Sequence, residues 1–548
     1  MLKDMAEKIK ELTIELTEIE SIVGTKEEIN VVNRIYDRFL NMKYFKENPD
    51  KVRLIDVKDD KLGRNSVLAI VKGKKGNSKK TVVLIGHTDT VGISDYGHIK
   101  EYATKPLKLK EKLKELSISE EVKKDLESGN YLFGRGIFDM KCGVAILMTL
   151  VEELSNDVDN LDGNIVFAAV CDEEGNSSGM LSVVPELVRL KKEEGFEYQA
   201  IIDTDYMAPR YEGDNNRYVY VGTIGKIMPS FYIVGSEAHG GDPFRGIDPN
   251  HISSAIMEEI NFNTKYCDEA EGEVTVPPIS LRQQDLKPEY SVQTAKTSYL
   301  YFNFGTHKST PDEIMKKIIE GATSAFQKVI DNLNIEYEKY CKLNNFPYKK
   351  LPWKARVISF AELLEKVKGE RGKELDEMLN KLNNELLKDE SIDERLYALK
   401  IVEAVHNLWS DKNPVVIAYF SPPYYPHNYV KGETELEKRL LNAVNKAIEC
   451  TNTKYNILMK KFYPYISDLS YGSAPREKSA IESLKNNMPG FGIKYNLPLE
   501  DMQELNLPVV NIGPYGKDAH KFTERLEEDY SFNVVPKLVF KTIEELLK

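Results

Sequence analysis

The run Thr81-Val82-Val83-Leu84-Ile85-Gly86-His87-Thr88-Asp89 ends an apolar, β-branched stretch with an imidazole and a carboxylate two positions apart. On a strand, that spacing sends both side chains to the same side of the sheet edge, where one can ligate a metal and the other can orient it. Other groups of the same kind follow along the chain. Asp139 lies in Phe133-Gly134-Arg135-Gly136-Ile137-Phe138-Asp139-Met140-Lys141, just ahead of an apolar helix. Glu173 and Glu174 lie in Cys171-Asp172-Glu173-Glu174-Gly175, and Asp203 follows Ala200-Ile201-Ile202, with Asp205 as a nearby rival. His520 lies beyond the apolar run Val509-Val510-Asn511-Ile512. Singly, each has a bland reading: Asp139 as a helix cap, the glutamates and Asp203 as turn residues, His520 as a loop residue. Jointly, two imidazoles and several carboxylates at successive strand exits make the mixed nitrogen and oxygen set that zinc and similar metals accept.

The elements that must carry these groups are legible from hydrophobic pattern. Val67 to Val71, Thr81 to Ile85, Ile165 to Cys171 and Ala200 to Ile202 are apolar runs without polar alternation, which suits strands buried on both faces of an α/β sheet. Helices are predicted at Ile9 to Ile19, after Gly24 with Thr25 and Glu28 in capping-box register, and at Val144 to Leu154. Open sheets of this kind bind ligands beyond the C-terminal ends of their strands. After Gly225 the style changes to strand, helix, strand, helix, at Met228 to Val234, Ile247 to Ile260, Ser298 to Phe304 and Pro311 to Ile330. A Lys/Glu/Leu-rich segment, Glu336 to Trp409, reads as a helical insertion, and Lys100 to Lys124 as a charged helical excursion. From Glu433 the α/β style returns. The expected architecture is therefore an α/β catalytic domain formed by residues 1–224 and 432–548 and interrupted by an inserted α+β domain at 225–431.

Bulk properties narrow the function classes. The 548 residues carry a net charge of -12, which argues against nucleic acid or an anionic membrane as partner. Five cysteines without a CxxC pair read as reduced thiols, and with no apolar leader and no run of about 18 apolar residues the expectation is a cytoplasmic protein. The expected partner is a small soluble substrate.

The ordered motifs His87-Thr88-Asp89, Gly134-Arg135-Gly136 with Asp139, Glu173-Glu174, Asp203 and Ala519-His520 resemble the clan MH metallopeptidase and amidohydrolase family, which includes succinyl-diaminopimelate desuccinylase, aminoacylase and bacterial glutamate carboxypeptidase. Gly235-Ser236-Glu237-Ala238-His239-Gly240-Gly241-Asp242-Pro243 is similar to its lid-domain motif. The resemblance implies a three-layer catalytic domain with a mixed, mostly parallel sheet and a ferredoxin-like lid. It implies two divalent metal ions, zinc foremost, bridged by Asp139, with His87 and Asp203 on one and Glu174 and His520 on the other. Asp89 would orient His87, Glu173 would serve as general base and then acid, and His239 would support the oxyanion, in its own or a partner subunit's site. The substrate would be an amide in a small peptide, an N-acyl amino acid or a related compound.

The sequence also departs from the family. Asn303 and Gly305 stand where many relatives carry an Asp-x-Arg segment, so a carboxylate-binding arginine is missing there, and Arg245 is the substitute considered. Ser467 and Asp468 match a Ser-Asp element near substrate, with a helix cap as the plain alternative. The extra length resembles the family's long branch named for arginine utilisation or degradation. The rival to hydrolysis is a ligand-sensing protein that kept the fold without turnover; a further reading, compatible with hydrolysis, is a middle domain that mediates self-association, with Phe231-Tyr232-Ile233-Val234 as an edge strand or helix-flanked interface and a homodimer as the result.

Overall fold

A computed structural model describes residues 2–548. The chain divides into two compact units, one of residues 1–223, 428–474 and 498–548, the other of 224–427 and 475–497. The segment 475–497, assigned above to the catalytic part, belongs with the second unit. Its helix Lys478–Asn487 packs on helix Pro311–Leu343, and Ala361 donates its N–H to Asn487 at 3.0 Å.

The first unit is built on an eight-stranded sheet. Its strands are β1 (Val52–Asp56), β2 (Asn65–Lys72), β3 (Lys80–His87), β4 (Asn164–Val170), β5 (Glu197–Asp203) and β6 (Arg217–Tyr220), with β12 (Ile457–Lys460) and β13 (Val509–Asn511) returning late in the chain. The spatial order is β1-β2-β4-β3-β5-β13-β6-β12. The central strands β4, β3, β5 and β13 are mutually parallel, while β1, β2 and the β13–β6 pair are antiparallel. Alternate residues separate the faces. Val82, Leu84, Ile165, Phe167, Ala200 and Ile202 share one core with Leu12, Phe39, Ile146, Leu150 and Val539 of the covering helices. Val83, Ile85, Val166, Ala168 and Ile201 point the other way and are equally buried, on the side where helix Ser178–Glu194 packs. The sheet is thus the middle of three layers, which is why its strands lack polar alternation.

In the second unit, β7 (Gly225–Val234), β8 (Ile279–Asp285), β9 (Thr297–Thr306), β10 (Val357–Ser359) and β11 (Val415–Tyr425) form a sheet of order β8-β9-β7-β11-β10. With helices Pro249–Ile260 and Pro311–Leu343 after β7 and β9, the connectivity is that of a ferredoxin-like unit. The expected helical insertion forms helices Phe360–Leu386 and Glu394–Leu408, whose Leu363, Val367, Val402 and Val405 bury Tyr232, Val234, Ile417 and Tyr419 of the sheet. Phe231 to Val234 lie in the central strand β7, so they are no edge strand; β8 occupies that place. Among the described residues, no helix is long and apolar enough to cross a membrane.

One local expectation is replaced. No capping box forms at Thr25 and Glu28, because the buried Glu28 carboxylate is engaged by the N–H groups of Gly24 and Asp172 and by Arg64. The glycine-rich turn before Asp139 works by shape: Gly136 has φ 75°. A Cβ on Gly143, at the start of helix Cys142–Asn156, would run into the Thr204 carbonyl oxygen. That close approach brings the Asp139 turn beside the loop after β5. Replacing Gly143 by Ala is expected to destabilise the first unit by about 1–3 kcal/mol through overpacking, read as a lower midpoint for its calorimetric unfolding transition.

Candidate metal and catalytic site

The parallel strands β4, β3 and β5 lie side by side and end at one edge, so the segments that follow them meet there. Register decides which side chains are level. Ile85 pairs with Asp203 and His87 with Val170. Two residues beyond Ile85 is His87, and two beyond Asp203 is Asp205. The carboxylate that reaches the level of His87 is therefore Asp205, not the expected Asp203.

Two groups of donors converge there: His87, Asp139 and Asp205, and Asp139, Glu174 and His520, with the donor atoms within each group less than 4.8 Å apart. Asp139 belongs to both. Its Oδ1 lies 3.1 Å from His87 Nε2 and its Oδ2 2.9 Å from His520 Nε2, which also meets Glu174 Oε1 at 2.9 Å. Two triads of nitrogen and oxygen donors sharing one carboxylate fit a pair of divalent cations, and no cysteine joins them. Glu173 points at the same place, its Oε2 3.8 Å from His87 Nε2.

Asp203 is buried but occupied elsewhere, accepting from the Thr204 N–H at 2.7 Å and the Ser467 hydroxyl at 3.0 Å. Ser467 is thereby a buttress, and it also caps the short helix Asp468–Gly472 through the Leu469 N–H. Asp468 is buried in the first unit as well. His239 and Arg245 belong to the second unit. There His239 Nδ1 accepts from the Gly241 N–H, and the exposed Arg245 pairs with Asp242 at 2.6 Å.

The orienting group behind His87 also differs from expectation. Nδ1 lies 3.1 Å from the backbone carbonyl of Asp89 and 3.8 Å from its carboxylate. The Asp89 carboxylate instead accepts the N–H groups of Glu173 at 3.1 Å and Glu174 at 3.0 Å. It fixes the glutamate loop rather than the imidazole.

Glu524 is a further contributor, unassigned in the sequence reading although it stands four residues after His520. Fully buried, it accepts the N–H of Gly136 at 2.9 Å, those of Phe138 and Asp139 at 3.4 Å, and Arg135 Nη1 at 2.8 Å. One carboxylate thus cradles the backbone that presents Asp139. The only sequence signal was its place in the same segment as His520.

Charge crowding sets the electrostatics. Burial, followed by the charges of Asp139 and Asp203, pushes the Asp205 carboxyl well above its ordinary range. Burial does the same to Glu173, where Glu174, Asp468 and Asp205 overcome the attraction of His87. Asp139 is the exception: burial opposes its charge, but His520 and His87 outweigh it and hold the carboxyl well below the usual range. Hydrogen bonds to Asp139 and Glu174 raise the His520 imidazole to about 10.

A model of the family described as "Peptidase family M20/M25/M40" matches residues 83–539. The chain belongs to that peptidase family. Protein RocB of Bacillus subtilis (strain 168) is 37% identical over 545 residues, covering 99% of this chain and 95% of that protein. An uncharacterized protein of the same organism, YqjN, is 35% identical over 542 residues, covering 98% and 96%. In fold, the chain is similar to a tripeptidase from Staphylococcus aureus subsp. aureus Mu50, with a TM-score of 0.52, 13% identity and coverage of 99% and 98%. Family membership makes the chain a hydrolytic enzyme acting on amide bonds, with a mixed α/β fold.

Because ligation takes a neutral imidazole, a divalent cation that binds His520 must expel its proton at neutral pH, and affinity must climb with pH toward about 10. Calorimetric titration with Zn²⁺ in buffers of different protonation enthalpy is expected to show net proton release near neutral pH. In equilibrium dialysis, Asp205→Asn is expected to weaken Zn²⁺ binding by at least about tenfold, with a smaller effect for Asp203→Asn.

Proposed function

We propose that the first unit is a two-metal amidohydrolase centre, with His87 and Asp205 holding one divalent ion, Glu174 and His520 the other, and Asp139 shared. The observation that carries this reading is the shared carboxylate between the two imidazoles. Zinc suits the nitrogen and oxygen donors best. Bound there, such ions would supply Lewis acidity toward the scissile carbonyl and make a water acidic enough to yield a proton near neutral pH.

Glu173 is the proton carrier. Its raised affinity for a proton, caused first by burial and then by neighbouring carboxylates, suits a group that takes a proton from water and returns it to the leaving nitrogen. Asp89 fixes its main chain, so the carboxylate is presented without loop rearrangement. His239 and Asp468 keep the roles implied by the family resemblance, oxyanion support and substrate contact; Arg245 is the substitute for the missing carboxylate-binding arginine.

The substrate class is a small peptide, an N-acyl amino acid or a related nitrogen compound in arginine degradation, in the cytoplasm. Support comes from the near-complete coverage of both relatives and from the resemblance to the branch named for arginine utilisation. Five free thiols fit a reducing compartment. A homodimer through the second unit is part of the same reading. Strand β8 has no partner on its outer edge among the described residues and exposes Ile279 and Leu281. Light scattering at twice the monomer mass is the expected result.

The deciding experiment is a panel of dipeptides and N-acyl amino acids, including arginine derivatives, assayed after chelation and after Zn²⁺ is restored. Hydrolysis is expected only with metal. Glu173→Gln is expected to lower kcat by about 10²–10⁴-fold while still binding Zn²⁺. Unchanged turnover in that variant would remove Glu173 from the mechanism, and tight binding of every intact substrate without cleavage would favour the sensing alternative.

A further inference from the structure

We infer that Arg64, 109 residues before Glu173 and hydrogen-bonded to none of the cluster's donors, is a positioning residue for the loop that carries Glu173 and Glu174. The two glutamate N–H groups must turn together onto the two oxygens of Asp89, and the turn is made at Asp172, whose φ is 65°. This left-handed backbone is unfavourable for a residue with a side chain, even if aspartate tolerates it better than most. The conformation persists only where the surroundings over-determine it.

Every polar group of Asp172 is engaged. Its N–H donates to Glu28 Oε2 at 2.9 Å, and its carbonyl accepts the N–H groups of Ser177 at 2.7 Å and Gly175 at 3.2 Å. One carboxylate oxygen accepts the Ser178 N–H at 3.2 Å, and the other accepts Arg64 Nη1 at 2.6 Å. The same Nη1 donates to Glu28 Oε1 at 2.9 Å. On its other flank the guanidinium grips Asp60, with Nε at 3.2 Å and Nη2 at 3.1 Å. Arg64 is 8% exposed, Glu28 0% and Asp172 3%, so two carboxylates meet one cation away from water, with the part-buried Asp60 on its other side.

The geometry uses the fork of arginine. One edge holds the Asp60 turn between β1 and β2, and the remaining nitrogen ties helix Glu28–Asn41 to the loop after β4. Removing it leaves the buried carboxylates of Glu28 and Asp172 sharing no cation, beside a strained residue. The loop then loses its anchor, while β4, held by β2 and β3 on both sides, keeps its own. Displacement of the glutamates by even a fraction of an ångström is enough to slow chemistry that depends on alignment.

The test compares Arg64→Met and Arg64→Lys with the parent chain. Amide hydrogen exchange of peptides spanning 171–178 is the primary measurement, because it reads the hydrogen bonds of Asp172, Glu173 and Glu174 directly and requires no metal or substrate. Exchange there is expected to rise about tenfold or more in both variants, with peptides of β4 unchanged. Lysine keeps the charge without the fork and is expected not to restore the loop; it also serves if the methionine variant fails to fold. For the proposed hydrolysis, on which this second readout rests, kcat is expected to fall by about ten- to a hundredfold with little change in KM, well below the unfolding temperature. Exchange equal to the parent's in 171–178, or raised equally in β4, overturns the inference. A parent chain that binds no Zn²⁺ overturns the metal-centre reading, and the exchange comparison still decides the role of Arg64.

Discussion

The arrangement of this protein turns on one carboxylate, Asp139, lying between the imidazoles of His87 and His520. Around it the strand exits gather Asp205, Glu173 and Glu174, with Asp89, Asp203 and Asp468 buried close behind. Such a concentration of acid groups away from water is unfavourable unless each is paired, hydrogen-bonded or protonated. The cluster uses all three. Imidazoles hold Asp139 ionised, backbone amides hold Asp89, and burial keeps Glu173 inclined to bind a proton. A site with these properties is prepared for cations.

The supporting groups show how the site is kept in shape. Glu524 gathers the amides of Gly136, Phe138 and Asp139 and ties them to Arg135, which in turn reaches Asp95 at 2.8 Å. Asp89 performs the equivalent service for the glutamate loop, and Arg64 with Glu28 anchors the turn from which that loop starts. In each case a buried polar side chain holds backbone that regular secondary structure does not reach.

Much of this architecture was legible beforehand. The apolar runs before His87, Glu173 and Asp203 identified buried strands, and the change of style after Gly225 marked an inserted domain. What failed, failed for identifiable reasons. Thr25 and Glu28 have capping-box spacing, but Glu28 is drawn instead to Arg64 and Asp172, partners 36 and 144 residues away. Phe231 to Val234 resemble an exposed edge strand only until their neighbours on both sides are known. Residues 475–497 read as part of the α/β segment around them, yet they pack within the second unit.

By itself the sequence determined the kinds of donor available, their places at strand exits and the class of chemistry they allow, because residue type and periodicity are local properties. Only the tertiary structure chose between Asp203 and Asp205. The two lie two residues apart at the end of one strand, so alternation sends both to the same face and cannot separate them. The register with β3 does, placing Asp205 level with His87 and leaving Asp203 to Ser467. The same holds for Glu524, whose amide partner Gly136 is 388 residues away in the chain. Contacts across such distances are fixed by how strands align and loops pack, which no local pattern encodes.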